Sequence, residues 1–260
     1  MNVNVMVLSW EKFSDTKKCI ESVANEKLRL SSNGYKTKII VVDNGSNKDM
    51  QYYLCEQKAL GNIDVLILNE KNMGISIARN QAIENIDKHA EYVIMLDGDI
   101  KPVENSFVAM VKYMESNNYG SNKIGCLGAA SYQYAPREEN ATKFIEKIEK
   151  VDEGQQLGGV SGEPIAWTQF GIFAGELFTK HNLTFITEGV FGMPGYGFED
   201  DLFALSILKR KYIILRFTDI YYFHKLDPSM THDGSLSMKE RRIEERRALA
   251  QAIINEGRVI

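Results

Sequence analysis

Short apolar runs rich in valine and isoleucine alternate with helix-like stretches over the first hundred residues. Strands read at 3–9 (VNVMVLS), 38–43 (KIIVVD), 63–68 (IDVLIL) and 91–97 (EYVIMLD). Between them the pattern predicts helices over 14–31, 48–59 and 75–87, with Ser14 or Asp15 as the N-cap of the first. Such alternation implies βαβ units and a mostly parallel central sheet flanked by helices, an α/β fold. Parallel strands buried on both faces are nearly continuous apolar runs. The polar residues that end two of them, Asp43 and Asp97, therefore fall at the carboxyl edge where such sheets bind ligands.

Beyond residue 105 the pattern predicts a helix near 105–116, a strand over 124–131, and then a polar, glycine-containing stretch ending in EGQQLGGVSGEP, read as a loop. Residues 167–178 (WTQFGIFAGELF) read as buried strand, 199–210 as a helix opening with three acids, and 212–224 as one or two strands. A helix over 236–257 carries Arg241, Arg242, Arg246 and Arg247 interleaved with Glu240, Glu244 and Glu245. These signs nearly cancel, the mark of a solvated helix rather than of an arm for nucleic acid or membrane.

The charge balance narrows the partners. The chain of 260 residues carries 31 Lys plus Arg against 35 Asp plus Glu, a formal net charge of −4, which gives no global attraction to nucleic acid. Cys19, Cys55 and Cys126 are odd in number and far apart, so they suggest neither a disulfide framework nor a zinc site, and a reducing compartment fits best. The opening MNVNVMVLSW has no basic n-region, and no stretch approaches the ~18 apolar residues of a membrane span. The expectation is a cytoplasmic chain, neither exported nor membrane-spanning.

Several motifs can carry chemistry. In LDGDI, Asp97 and Asp99 stand two apart where an apolar run ends. If the extended conformation persists through Gly98, both side chains point to one side and can hold one hard cation, with a substrate diphosphate as its further ligand. A β-turn with favourable Asp-Gly chemistry is the plain alternative. In VVDNGS, Asp43 ends a strand and Asn44, Gly45 and Ser46 form a turn; the carboxylate there can accept from a base imide or a ribose hydroxyl. NMGISIARNQAI places Gly74 at a turn and Arg79 one helical turn inside, where its fork can meet a diphosphate or serve a structural ion pair. GYGFEDDLF brings Glu199, Asp200 and Asp201, candidates for a general base or for an acidic helix start, and His224 ends the apolar stretch that follows.

Taken in order, the strand, DNGS, GxxxARN, DGD, glycine-rich strand, EDD helix and late histidine resemble metal-dependent glycosyltransferases of the GT-A fold. The likeness is to the large family 2 group, with an EDD segment similar to the β-galactosyltransferases, and it spans about residues 3–105 and 165–226. It implies one GT-A domain: a donor-binding half at 1–105, a smaller acceptor-side and catalytic half at 106–226, and a helical tail at 227–260. It further implies that Ser9, Trp10 and Glu11 line the nucleotide, that Asp43 contacts the base, with Asn44 and Gly74 beside it, and that Arg79 lies near the diphosphate. Asp97 and Gly98 would meet ribose and metal-bound water, with Asp97, Asp99 and His224 around Mn²⁺ or Mg²⁺. Asp200 would be the catalytic base, Asp201 the next candidate, and Glu199 an acceptor-positioning residue. Trp167 could be a platform for a sugar ring, although a core tryptophan explains it as well.

The implied activity is transfer of a sugar from a nucleoside diphosphate sugar, a UDP-sugar on the family's precedent, to the hydroxyl of a glycan or other acceptor, with inversion and one residue at a time. QxxRW, the signature of processive synthases, is absent, and residues 132–165 have no counterpart in the family pattern. Two other readings remain: a nucleotidyltransferase, although SWEKFSDTKK after the first strand has no glycine-rich phosphate loop, and a non-catalytic sugar-binding module. A dinucleotide-dependent oxidoreductase lacks its GxGxxG.

Overall fold

The computed structural model describes residues 1–117, 123–132, 160–162, 168–187 and 199–224; at 130–132, 160–162, 201 and 217–224 the description is of the backbone alone. Trp167, most of the loop at 132–165 and the expected helix at 236–257 lie outside the described residues.

Strand β1 (Asn2–Ser9) is buried along almost its whole length because it lies between two parallel neighbours, β2 (Lys36–Asp43) and β4 (Tyr92–Asp97). Strand β3 (Val65–Leu68) extends the parallel set beyond β2. Helix α1 (Phe13–Ser32) covers one face, and its buried residues Thr16, Cys19, Ile20, Val23, Glu26 and Leu30 fall at the spacing of a single helical stripe. Helix α2 (Lys48–Ala59) begins at Asn47, whose side chain accepts from the Met50 amide at 3.1 Å. Helix α4 (Ser106–Ser116) joins α1 and α2 on that face, in a core with Val3, Val5, Val7, Ile39 and Val41. The opposite face packs α3 (Ile75–Ile83) and a later helix, α6 (Glu199–Leu208), around Met6, Ile40, Val42, Phe173 and Phe203.

The rest of the sheet is mixed. Short β5 (Ile100–Pro102) leaves the DGD turn and pairs antiparallel with β9 (Tyr212–His224), setting Ile100 opposite His224. Strand β8 (Phe170–Ala174) is antiparallel to both β4 and β6 (Lys123–Tyr132), β6 runs parallel to β9, and β7 (Val160–Gly162) pairs antiparallel with β9. The strand order is β3-β2-β1-β4-β8-β6-β9-β5, with β7 beside β9. The expected α/β class holds, parallel from β3 to β4.

Four details differ from expectation. The first helix is capped by neither Ser14 nor Asp15: its N-cap is Lys12, in a left-handed conformation and without a side-chain cap. Helix α3 stops at Ile83, short of residue 87. The run at 167–178 is strand only to Ala174. There Gly175 docks so tightly that a Cβ would lie 1.9 Å from the Ala90 carbonyl oxygen, and the chain turns into the one-turn α5 (Glu176–Thr179). Within the stretch read as loop, Val160–Gly162 forms β7, because the edge of β9 offers backbone partners. The three cysteines are free; Cys19 and Cys126 are buried and Cys55 is exposed.

Candidate active site

Ser9, Asp43 and Asp97 stand side by side at the carboxyl ends of β1, β2 and β4, since Ser9 is in register with Asp43 and Leu8 with Asp97. Asp43 is fully buried. Its Oδ1 accepts from the Ser9 hydroxyl at 3.4 Å, and its Oδ2 accepts from the Ser46 amide at 3.0 Å and from Gln51 Nε2 at 3.4 Å. A buried carboxylate needs such donors, and here they hold the DNGS turn closed. Asn44 extends the arrangement sideways. Its Oδ1 accepts from the Met73 amide at 2.9 Å and from Asn69 at 3.2 Å, while its Nδ2 donates to Asn72 Oδ1 at 2.9 Å. The same Asn72 oxygen accepts from the Gly74 amide at 2.9 Å. Gly45, at φ +83°, lies against this loop so closely that a Cβ would sit 2.2 Å from the Lys71 carbonyl carbon.

The segment after β1 is strained. Glu11 (φ 51°) and Lys12 (φ 48°) are consecutive left-handed residues, each costing about 1–2 kcal/mol. The Ser46 hydroxyl accepts from the Glu11 amide at 2.8 Å, and Asn47 Nδ2 donates to Glu11 Oε2 at 3.2 Å, so contacts with the DNGS turn hold this bend. Trp10, in this segment, is 39% exposed. The bend sends Lys12 across to Asp99, with Nζ 2.9 Å from Oδ2 and both side chains largely covered.

The extended conformation does not persist past Asp97: Gly98 and Asp99 form a turn, the alternative that Asp-Gly chemistry allowed, and Gly98 makes that turn possible. Its amide donates to the Leu8 carbonyl at 2.7 Å, and a Cβ would lie 2.8 Å from that oxygen, so only glycine lets the turn tuck against the end of β1. Burial pushes the Asp97 carboxyl up to about 6; Arg79 opposes the shift, and the like charges of Asp99 and Asp200 add to it.

Arg79 joins the two halves of the site. Nη2 donates to Asp97 Oδ1 at 3.2 Å and Nη1 to Asp200 Oδ1 at 3.0 Å, and the side chain is only 4% exposed. Burial alone would pull the guanidinium down, but Asp200, Asp97 and Glu199 together hold it above its ordinary value. Its carbon lies 5.2 Å from the centre of the Phe185 ring, which stacks on Phe203 at 4.1 Å. The next residue, Asn80, pins Phe185 through both backbone groups at 2.8 Å each. Asp200 Oδ1 also accepts a short hydrogen bond from the buried Thr168 hydroxyl.

The structure thus brings together Ser9, Glu11, Asp43, Asn44, Gly74, Arg79, Asp97, Gly98, Asp99 and Asp200. Glu199 opens α6 with Asp200 and is half-buried. The Asp201 side chain and the His224 ring lie outside the described atoms, although β5–β9 pairing puts the His224 backbone beside the DGD turn. Among the described residues no cluster of three acidic, histidine or cysteine side chains forms a complete metal cage. Sequence reasoning missed Lys12, Asn80, Thr168 and Phe185. Asn80 was within reach as the last residue of ARN; nothing local marks the other three.

Comparison with known proteins bears on the fold and the family. An uncharacterized glycosyltransferase of Methanocaldococcus jannaschii is 32% identical over 101 residues, 39% of this chain, and the chain spans only 32% of that relative. Among solved structures, residues 1–349 of TarS from S. aureus with UDP-GlcNAc superpose with a TM-score of 0.64 at 15% identity, covering 98% of this chain and 67% of that one. The mannosyltransferase PcManGT from Pyrobaculum calidifontis, with GDP-Man and Mn²⁺, gives 0.62 at 16% identity over 96% and 64%. GalNAc-T7 with UDP, GalNAc and Mn²⁺ gives 0.60 at 15% over 87% and 44%. These likenesses establish the GT-A type of fold. Residues 5–164 match the model of glycosyl transferase family 2, and the chain belongs to that family.

Proposed function

We propose that this chain transfers one sugar at a time from a nucleoside diphosphate sugar, carried on UDP, to an acceptor hydroxyl, with inversion at the anomeric carbon. The observation that most supports this reading is the Arg79 bridge, which gathers Asp97 from the DGD turn and Asp200 from the EDD helix around one guanidinium.

On this reading the nucleotide lies along the ends of β1 and β2. Asp43 and Ser9, both fully buried, shape the base site through the DNGS turn they hold, Trp10 and Glu11 flank the nucleotide, and Asn44 with Gly74 keeps the neighbouring loop in place. Asp97 and Asp99 fit a hard divalent cation. They supply carboxylate oxygens from one turn, and the Asp99 charge helps to drive Asp97 up, so added positive charge is favoured there. Asp97, Asp99 and His224 would hold Mn²⁺ or Mg²⁺, which would neutralise the departing nucleoside diphosphate.

Asp200 takes the proton of the acceptor hydroxyl, with Arg79 and Thr168 fixing the carboxylate's direction. The freed oxygen attacks the anomeric carbon from the face opposite the leaving group. Glu199 positions the acceptor, Asp201 is the next candidate for the base, and Trp167 offers a stacking platform for its ring.

A screen of nucleotide sugars by thermal shift and by release of nucleoside diphosphate, with and without Mn²⁺, tests this. The expected result is a UDP-sugar whose stabilisation and turnover need Mn²⁺ and vanish in Asp99→Ala. A donor that binds and turns over equally well in Asp99→Ala would sink the proposal.

A further inference from the structure

The backbone at Lys12 is an anomaly that helix formation does not explain. Lysine is a poor N-cap, it makes no cap hydrogen bond here, and it follows a second left-handed residue, Glu11. What the conformation accomplishes is delivery of an ammonium across 87 residues of sequence to Asp99. Lys12 and Asp99 are only 16% and 15% exposed. A covered charge pair at a strained bend, inside the turn assigned to metal and diphosphate, marks a functional device.

We infer that Lys12 is a resident counter-cation that occupies Asp99 in the donor-free protein and moves to the diphosphate when donor and metal arrive together. The inference rests on the reading of Asp97 and Asp99 as the metal site. A divalent ion needs lone pairs of Asp99 that now accept from Nζ, and two cations on one carboxylate repel at short range. Metal alone is therefore opposed. A nucleoside diphosphate brings at least two negative charges, enough to partner both cations, and a lysine, with a compact charge on a flexible stem, can swing from carboxylate to phosphate oxygen. Metal and donor then each raise the affinity of the other, as linkage requires.

The test is Mn²⁺ titration of the full chain, read from the electron paramagnetic resonance of the free aquo ion, with and without UDP. Lys12→Asn suits the left-handed backbone and removes the cation. Without UDP it should bind Mn²⁺ about tenfold more tightly than wild type, and UDP should tighten it further by much less. Lys12→Arg should stay close to wild type. Unchanged or weaker Mn²⁺ binding in Lys12→Asn without UDP overturns the inference, provided Asp99→Asn abolishes binding. If Asp99→Asn binds Mn²⁺ as wild type does, the metal-site reading itself fails and takes this inference with it. Wild-type protein gives an independent check: equal Mn²⁺ affinity with and without UDP overturns the coupling whatever the variants do.

Discussion

Asp43 and Asp97 both end parallel strands, yet they are held in opposite ways. The donors to Asp43 come from close by: Ser46 three residues on, Gln51 eight residues on, and Ser9 from the strand in register beside it. Asp97 leans on Arg79, which in turn holds Asp200, 121 residues further along the chain. One corner of the site is built by its own turn, and the other exists only after distant elements have docked. The first should tolerate changes elsewhere in the molecule; the second should be the point at which binding and turnover separate.

The largest effect is expected at the distant partner. Asp200→Asn should lower kcat about 10²- to 10⁴-fold while leaving donor affinity near wild type, as steady-state kinetics would show, and should lower the melting temperature because the buried Arg79 loses one of its two carboxylates. Equal losses in kcat and donor affinity would erase the contrast between the corners. Arg79→Ala comes next. It leaves two carboxylates facing each other without their cation, and urea unfolding should register a loss of about 3 kcal/mol, the low end for breaking a buried pair because both aspartates retain some solvent. Arg79→Lys should recover little, since a single ammonium cannot reproduce the fork.

On the local side, Gly45→Ala meets both an unfavourable φ and the Lys71 backbone, and should cost about 2 kcal/mol. That loss should appear as weaker nucleotide binding with kcat at saturating donor preserved, the reverse of Asp200→Asn.

The smallest effect lies away from both corners. Glu26 is buried in α1 and accepts from the backbone amides of Asn105 and Phe107, at 2.8 and 2.9 Å, where α4 begins. Burial raises its carboxyl, with those amides opposing. A carboxyl raised in the folded state contributes stability that is fully present below its unfolded value and is lost as pH rises through the folded one. Denaturant midpoints should therefore fall across that window in wild type and fall less in Glu26→Gln. No difference between the two profiles would remove Glu26 as the source.

These two corners also explain which parts of the molecule are legible in the sequence. The strands from β1 to β4 were legible because burial on both faces leaves unbroken runs such as IIVVD, and DNGS was legible because its chemistry is closed within one turn. The Arg79 bridge was half visible: a structural ion pair was one of the options for that side chain, but nothing near residue 79 names Asp200 as its partner. Thr168 carries no signal, since its meaning comes only from the α6 carboxylate that reaches it. The error at the start of α1 has a physical source too. Ser14 and Asp15 are good caps, but the contacts of Glu11 with Ser46 and Asn47, and of Lys12 with Asp99, override local preference, so the helix starts at Phe13 with Lys12 as its N-cap.

The placement of the three thiols has a practical use. Cys19 lies beneath the DGD turn, its Sγ 3.7 Å from the Asp97 carbonyl oxygen, and burial pushes its ionisation far above the usual thiol range; Cys126 is equally shielded. Thiol-reactive dyes attack the exposed thiolate, which leaves Cys55 on α2 as the one accessible handle. Since α2 grows directly out of the Asn47 cap beside the Asp43 turn, a fluorophore attached there could report the arrival of a nucleotide in unmutated protein, with no engineered cysteine.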